Sequence, residues 1–177
     1  KGFLRLLVSL IIILAFFILS AYVYFKLSPV SYVKPIIWGV TFSQKFSQAF
    51  GLDWRKNYEA IINDLKVKDL RLVAYWDLIE SQDGEFNFGD LDYQLKLAEV
   101  DNINVTLVIG RKVPRWPECH EPEWLKIYDL GFKNEELLKY LKILVERYKN
   151  SPALKYWQVE NEPFFPFGEC PRLDSNL

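Results

Sequence analysis

Residues 104–109 read Asn-Val-Thr-Leu-Val-Ile, a short run that is almost continuously apolar and rich in β-branched side chains. Such a run is typical of a strand buried on both faces, as in the parallel sheet of an α/β protein. Three further runs have the same character, and they begin near residues 36, 70 and 154. The segments between them carry apolar residues at helical spacing. The sequence therefore predicts alternating strands and helices around a parallel sheet.

The segments between the strands also carry helix-capping residues. Asp53 is predicted to cap the first helix and Asn134 the third, because a side-chain oxygen at that place accepts hydrogen bonds from the free amides of the first turn. Leu91, Leu95 and Ala98 mark the helix between them.

The spacing of the predicted strands favours a barrel. The intervals from residue 36 to 70 and from 70 to 104 are close to the ~31 residues that one unit of a (β/α)8 barrel uses. The next interval is longer, and its extra residues lie between Gly110 and Asn134, in a loop of the kind that builds barrel active sites. A doubly wound sheet is the alternative, but no Gly-x-Gly-x-x-Gly motif follows the first strand. We predict an α/β fold, the first four units of a (β/α)8 TIM barrel.

The composition excludes several classes of protein. Half of the residues are hydrophobic and a quarter are charged, which argues against a disordered chain. A formal net charge of -1 provides no basic footprint for a nucleic acid. The chain begins with Lys1 and contains no methionine, which is typical of an incomplete reading frame.

An apolar segment precedes the predicted barrel. Residues 6–25 contain no charged side chain, and a helix that spans a bilayer needs about 20 such residues. The alternatives are a buried core helix and a cleaved signal peptide, whose apolar core is usually shorter and ends at a small-residue cleavage site. We predict a single transmembrane anchor or signal segment over 1–27, a linker over 28–35 and a partial barrel over 36–177.

Polar residues gather at the end of the fourth predicted strand, Gln158-Val-Glu-Asn-Glu-Pro163. By strand alternation Gln158, Glu160 and Glu162 share one face. A carboxyl group in a partly apolar mouth has a raised pKa and acts as a general acid. Glu162 is therefore a catalytic candidate, Asn161 beside it offers an amide to a bound hydroxyl, and a structural role is expected for Glu160.

Asn161-Glu162-Pro163 at the end of a fourth strand resembles the signature of glycoside hydrolase clan A. That clan includes the family 5 cellulases and mannanases and the family 42 β-galactosidases. The resemblance implies that Glu162 is the general acid/base of a retaining mechanism and that Asn161 binds the hydroxyl next to the anomeric carbon. Arg71 on the second strand is similar to the clan arginine that supports the nucleophile.

Two further runs carry the same resemblance. Trp76-Asp-Leu-Ile-Glu resembles the Trp-x-x-x-Glu run of these enzymes, and Gly84-Glu-Phe-Asn-Phe resembles their Gly-x-Phe-x-Phe run. The resemblance covers residues 36 to about 167 and assigns Trp76 to substrate binding. It implies a carbohydrate substrate and no cofactor.

The chain departs from the clan pattern at two places. The third strand ends Ile109-Gly-Arg-Lys112, without the histidine of many cellulases, which leaves the family within the clan open. The clan nucleophile is a second glutamate on the seventh strand, and this chain ends after the fourth. The resemblance therefore implies the N-terminal half of the barrel, inactive by itself.

The long third loop holds the only histidine, His120. One histidine and two cysteines do not form a zinc spacing, so no metal is predicted. His120 is expected to make a hydrogen bond within the loop or to contact a sugar hydroxyl. Trp116 is expected to stack on a sugar face, with packing of the loop on itself as the alternative. The same two interpretations apply to the phenylalanines of residues 164–167.

Cys119 and Cys170 follow the third and fourth strands, which are neighbours in a barrel. Their loops leave the same end of the sheet, so a disulfide is predicted, with two unpaired cysteines as the alternative. Disulfides persist outside the reducing cytosol. Together with the apolar segment, this predicts an extracytoplasmic domain, either membrane-anchored or secreted after cleavage.

The function that these features predict is hydrolysis of O-glycosyl bonds in oligo- or polysaccharides by a membrane-anchored retaining β-glycosidase. The first alternative is a non-catalytic carbohydrate-binding barrel protein held at the membrane. The second is an unrelated half-barrel in which Asn161-Glu162-Pro163 occurs by coincidence. A glutamate at the end of a seventh strand distinguishes the enzyme from the binding protein.

Overall fold

The computed structural model describes residues 2–27 and 36–170, and these form two compact units that divide between Ile36 and Ile37. The first unit is a single helix, α1 (Gly2–Leu27), in which no residue is buried. This helix of 26 residues is long and apolar enough to cross a membrane, a property that signal sequences share. The predicted linker 28–35 lies outside the described residues.

The second unit contains four strands, which pair in chain order and are all parallel to their neighbours. They are β1 (Gly39–Thr41), β2 (Asp69–Val73), β3 (Asn104–Ile109) and β4 (Leu154–Val159). A doubly wound sheet reverses its strand order at a switch point, and the described strands show no reversal. The predicted parallel α/β fold is confirmed.

Helices connect the strands. β1 is followed by α2 (Gln44–Ala49) and α3 (Trp54–Asn63), and β2 by α4 (Trp76–Ile79) and α5 (Gly89–Val100). A 3₁₀ helix (Glu123–Ile127) and α6 (Leu130–Tyr148) follow β3. The main core lies between these helices and the sheet, and its fully buried members include Tyr58, Leu72, Trp76, Val105, Leu107, Tyr140 and Leu144.

A smaller apolar cluster lies apart from the main core. It comprises Val73, Tyr75, Val108 and Val113. Val73 and Val108 are partners on β2 and β3. Because successive strand residues point to opposite faces, this cluster marks the second face of the sheet, the face that in TIM barrels is the interior.

One of the two predicted helix caps is found in the structure and the other is not. Asp53 caps α3 as predicted, and its carboxylate accepts hydrogen bonds from the amides of Arg55 and Lys56 at 3.0 and 3.3 Å. α6 begins four residues before the predicted cap Asn134, because the carboxylate of Asp129 accepts from the amide of Phe132 at 2.9 Å. Asn134 lies inside the helix, so that prediction is wrong.

Candidate active site

The site is built on β2 and the carboxyl end of β4, where Arg71 crosses the face of the sheet that carries Val73 and Val108. Its Nε donates to Oε1 of Gln158 at 2.9 Å, and its Nη2 donates to Oδ1 of Asn161 at 2.8 Å. Burial, reinforced by the positive charge of Arg115, lowers the pKa of Arg71. Arg71 thus joins two strands that are not neighbours and fixes the residue that precedes Glu162.

Asn161 is held at both ends of its side chain. Its oxygen accepts from Arg71, and its Nδ2 donates to Oε2 of Glu118 at 3.1 Å. Its backbone amide donates to the carbonyl of Lys112 at 2.6 Å. One of its two amide hydrogens makes the bond to Glu118, which leaves the other for a ligand.

The side chain of Glu162 is exposed at the same end of the sheet. Its carboxylate has no hydrogen bond to the described residues, whereas its backbone carbonyl accepts from Nζ of Lys112 at 2.8 Å and from the amide of Phe165 at 3.0 Å. Its φ is 50°, which is uncommon for a residue with a side chain. Backbone strain of this kind persists where surrounding contacts hold it, often at functional sites.

Glu160 has a different environment from Glu162. Its carboxylate accepts from the amides of Arg111 at 2.9 Å and Lys112 at 2.5 Å, and burial raises its pKa. β4 ends at Val159, and φ is positive at both glutamates. The predicted alternation from Gln158 through Glu162 is therefore wrong, because the extended backbone that it requires stops at Val159.

Gly110 makes the close approach of Glu160 possible. A Cβ at this position would lie 2.6 Å from Oε1 of Glu160, and the φ of 133° is one that other residues rarely adopt. The glycine therefore lets the end of β3 bind the carboxylate that follows β4.

Two residues of the site, Glu118 and Lys112, were not assigned to it from the sequence, and Gln158 was placed there without a role. Glu118 is buried and accepts from the backbone amide of Arg115 at 3.0 Å as well as from Asn161. The sequence feature that could have placed Glu118 in the site is its neighbour Cys119, because a disulfide to Cys170 brings the third loop to the residues after β4.

Trp76 does not lie at this edge. It has no exposed surface, stacks on Tyr140 with ring centroids 5.0 Å apart, and donates from Nε1 to Oε2 of Glu80 at 2.6 Å. A sugar cannot reach a ring in this position. The predicted substrate contact of Trp76 is wrong because β2 ends at Val73 and the chain turns Trp76 into the core as the first residue of α4.

His120 is also buried, with 2% of its surface exposed. Nζ of Lys45 lies 2.9 Å from its Nδ1, and the carbonyl of Arg115 lies 3.1 Å from its Nε2. Burial, followed by the charge of Lys45, lowers its pKa, so the neutral ring fits both contacts. Of the two predicted roles, the structure favours the hydrogen bond within the loop over contact with a sugar.

The remaining predicted residues lie where the third and fourth loops meet. Trp116 is 63% exposed, and its ring is 5.8 Å from that of Phe167. Cys119 and Cys170 form a disulfide with Cα atoms 4.8 Å apart. Within residues 2–27 and 36–170, no three His, Cys, Asp or Glu side chains are grouped to hold a metal ion.

This parallel sheet, with an arginine on β2 and Asn161-Glu162-Pro163 after β4, defines the class of the protein as glycoside hydrolase clan A. The profile of glycosyl hydrolase family 10 matches residues 55–174, and the chain belongs to this family. The predicted clan is confirmed. Within it, the sequence had pointed to family 5 or family 42.

Curated relatives are β-galactosidases. The chain is 26% identical over 127 residues to β-galactosidase BgaA of Clostridium cellulovorans, an alignment that covers 62% of this chain and 19% of that protein. It is 32% identical over 115 residues to β-galactosidase bgaB of Geobacillus kaustophilus, covering 55% and 17% respectively. The chain thus matches less than a fifth of the length of these two relatives.

Solved structures share the fold. The cold-adapted β-galactosidase of Rahnella sp. R3 superposes with a TM-score of 0.57 at 16% identity, over 79% of this chain and 23% of that one. A GH5_18 protein of Bifidobacterium longum gives a TM-score of 0.54 at 16% identity, over 73% and 34%. The four parallel strands are therefore similar to part of the TIM-barrel glycosidases.

Proposed function

We propose that this chain is the N-terminal, four-unit half of a retaining β-glycosidase in which Glu162 is the general acid/base. The observation that carries the proposal is the exposed carboxylate of Glu162 at the carboxyl edge of the sheet, next to an asparagine fixed by Arg71. Membership of a family of glycosyl hydrolases supports hydrolysis of glycosides as the reaction class.

In this mechanism Glu162 protonates the glycosidic oxygen as the leaving group departs and then removes a proton from the water that hydrolyses the glycosyl intermediate. Retaining enzymes place a second carboxylate, the nucleophile, ~5–5.5 Å from the acid/base. We assign that carboxylate to a later strand of the complete polypeptide. The proposed fragment is inactive alone because it lacks this group.

Arg71 and Asn161 position the reacting groups. Two donors of Arg71 bind Gln158 and Asn161, and its remaining N–H groups keep the nucleophile ionised. Asn161 binds the hydroxyl next to the anomeric carbon with the amide hydrogen that Glu118 leaves free. No cofactor takes part in the reaction.

β-Galactosides are the first substrate class to examine, because the curated relatives are named β-galactosidases. α1 serves as a membrane anchor, or as a signal segment if it is cleaved, and the barrel lies outside the cytosol. The disulfide between Cys119 and Cys170 supports an oxidising location.

The test uses Glu162→Gln in the protein that carries the whole barrel. Hydrolysis of glycosides with poor leaving groups is expected to fall by about 10²–10⁴-fold, the usual contribution of a general acid. Hydrolysis of aryl glycosides with activated leaving groups should fall less, because those leaving groups depart with little protonation. The measurement is kcat/KM for both substrate types.

Glu169→Gln is the matched control, since Glu169 is an exposed carboxylate in the same loop. It should leave both rates at the parent value. Equal rates for the parent and Glu162→Gln on both substrates would reject Glu162 as the acid/base. A parent protein that binds sugars and hydrolyses none would instead establish the non-catalytic carbohydrate-binding protein.

A further inference from the structure

Arg115, in the third loop, is a cation that the described residues leave without a partner. Its Nε is buried and has no hydrogen bond, and none of its side-chain N–H groups donates to an oxygen of residues 36–170. The guanidinium lies 5.2 Å from the centre of the ring of Phe46. A buried donor without a partner is destabilising, and more so when it carries a charge. An anion that binds Arg115 removes this penalty.

Hydrogen bonds fix the backbone around Arg115. The hydroxyl of Tyr75 donates to the carbonyl of Pro114 at 3.1 Å, and the amide of Arg115 donates to Oε1 of Glu118 at 3.0 Å. The carbonyl of Arg115 accepts from Nε2 of His120 at 3.1 Å. The φ of 89° at Arg115 is uncommon for a residue with a side chain, and such backbone persists where surrounding contacts hold it. The loop therefore presents the guanidinium in a defined position.

Arg115 borders the candidate active site on the side of β1. Arg115 and Phe46 line a cavity of about 220 Å³ together with Thr41, which is the β1 partner of Arg71. Burial is the first cause of the lowered pKa of Arg71, and the positive charge of Arg115 is the second. Burial raises the pKa of Tyr75 to about 12, and the charge of Arg115 opposes this rise. The guanidinium is therefore close to two residues of the same face of the sheet.

The acids near Arg115 are engaged elsewhere. The two oxygens of Glu118 accept from a side-chain amide and from the backbone of Arg115. Asp77 forms an ion pair with Lys45. Glu162, as the proposed general acid, carries its proton when bond cleavage begins. None of these carboxylates forms an ion pair with the guanidinium, so the anion that completes the pair must come from outside the described residues.

We propose that Arg115 binds the carboxylate of an acidic sugar, so that the substrate is a β-uronide, the glycoside of a uronic acid. This inference rests on the proposed function and names the substrate class. The planar fork of a guanidinium matches the two oxygens of a carboxylate. Arg115 lies beside Arg71, which supports the nucleophile in the proposed mechanism. The acidic sugar is therefore the one that the nucleophile attacks, and the leaving group need not be charged.

A carboxylate from a later strand of the complete polypeptide is the other partner that Arg115 fits. Such a group would be present with every substrate, whereas the carboxylate of a uronic acid is present with uronides alone. Substrates that differ only in this carboxylate therefore distinguish the two partners.

The experiment compares para-nitrophenyl β-galacturonide with para-nitrophenyl β-galactoside, and the glucuronide with the glucoside, in the protein with the whole barrel. The members of each pair share a leaving group and differ only in the carboxylate. The parent should show a higher kcat/KM on the uronide of at least one pair. In Arg115→Gln this preference should fall by about 10–100-fold, as expected for the loss of hydrogen bonds to a charged group, with the neutral glycoside unaffected. Arg115→Lys should recover part of the preference, because it keeps the charge without the fork.

Arg147→Gln is the matched control. Arg147 also lies over an aromatic ring, 4.5 Å from the centre of Phe88, but it is paired with Asp92 and lies near the end of α6. It should leave the preference at the parent value. An unchanged preference in Arg115→Gln overturns the proposal. An equal fall on the uronide and the neutral glycoside also overturns it and assigns Arg115 to a carboxylate of the protein.

Failure of the proposed function gives a different result. If the parent hydrolyses neither these four substrates nor a panel of other neutral β-glycosides, the glycosidase assignment itself is rejected. If the parent hydrolyses neutral β-glycosides in preference to uronides, only the role of Arg115 is rejected.

Discussion

Glu160 and Glu162 are two residues apart, yet their carboxylates have different surroundings. Glu160 accepts two backbone amides from the end of β3, whereas Glu162 points to solvent. The difference arises from positive φ at both residues, which turns the chain out of β4. The carboxylate of Glu160 is bound within the turn, whereas that of Glu162 is exposed to solvent.

The raised pKa of Glu160 predicts a pH dependence of stability. Because burial raises this pKa above the ordinary value of 4.5, the folded protein binds the proton more tightly than the unfolded chain. The stability that Glu160 contributes is then fully present below the unfolded pKa and decreases as the pH rises through the folded pKa. The difference in free energy of unfolding between the parent and Glu160→Gln should decrease across this range.

Urea denaturation of both proteins at a series of pH values above and below 4.5 measures this difference. A difference that increases with pH would show that the amides of Arg111 and Lys112 outweigh burial and lower the pKa instead.

Trp76 gives a second prediction at this scale. Trp76→Phe keeps the stacking on Tyr140 but removes a donor from the buried carboxylate of Glu80, which then retains only the amide of Gly84 at 3.1 Å. The loss should destabilise the protein by about 1–3 kcal/mol and leave KM unchanged. Urea denaturation and steady-state kinetics test the two parts.

The control is Trp76→Phe made in a Glu80→Gln background. There the loss of unfolding free energy caused by Trp76→Phe should be smaller than in the parent, because no buried charge loses its partner. A raised KM with unchanged stability would return Trp76 to the substrate site.

The residues of the site were accessible from the sequence to different degrees. Arg71 lies on β2, and Asn161 and Glu162 follow the end of β4, so a short motif and strand counting locate all three. Glu118 lies in a loop whose path depends on its own φ of 67° and on the φ of 89° at Arg115. The pattern of apolar and polar side chains does not determine the backbone path of such a loop, so the contact of Glu118 with Asn161 could not be predicted.

At the scale of elements, the loops after β3 and β4 behave as one unit. They share the contacts of Lys112, the bond between Glu118 and Asn161, and the disulfide. Gly168 allows this close packing, because a Cβ there would lie 2.6 Å from Cβ of Glu118. The position of Glu162 therefore depends on the third loop as much as on β4.

The disulfide gives a prediction for this unit. Replacing Cys119 and Cys170 together by serine should destabilise the protein by about 2–4 kcal/mol, because the bridge closes a loop of 51 residues in the unfolded chain. Urea denaturation of the parent with and without reductant should reproduce the difference. Peptide mapping without reductant, on protein exported to an oxidising compartment, should yield the joined pair.

Free thiols at both cysteines in the exported protein would refute the bridge and weaken the extracytoplasmic assignment. If the bridge is present but reductant leaves the stability unchanged, the contacts of Lys112 and Glu118 hold the loops without it.

The third strand was predicted correctly, whereas the first strand begins three residues after the predicted position 36 and the last helix begins four residues before its predicted cap. β3 has the predicted bounds, because a continuous apolar run has one way to be buried. α6 begins at Leu130, since Asp129 and Asn134 are both good caps and the sequence does not state which one the preceding loop brings into place.

At the scale of the whole molecule, the described sheet has two open edges. β1 pairs only with β2, and β4 only with β3. An unpaired edge strand offers free amides and carbonyls to other chains. In the proposed enzyme, later strands cover both edges and close the barrel.

Residues 35–177 expressed alone should therefore self-associate and hydrolyse no glycoside. The inward side chains of the strands, among them Val73 and Val108, lack the opposite wall that a closed barrel provides. Light scattering coupled to size-exclusion chromatography and a β-glycosidase assay test both parts. A monodisperse monomer that hydrolyses β-glycosides would refute the half-barrel and the two-carboxylate mechanism together.

The bond between Arg71 and Asn161 joins residues 90 positions apart in the chain. At synthesis rates of ~5–20 residues per second, Asn161 is made about 5–20 s after Arg71. During that time β3 is made beside β2, while the guanidinium of Arg71 lacks its partners Gln158 and Asn161. A nascent chain arrested before Gln158 thus contains β1, β2 and β3 but neither of the two residues that bind the guanidinium of Arg71.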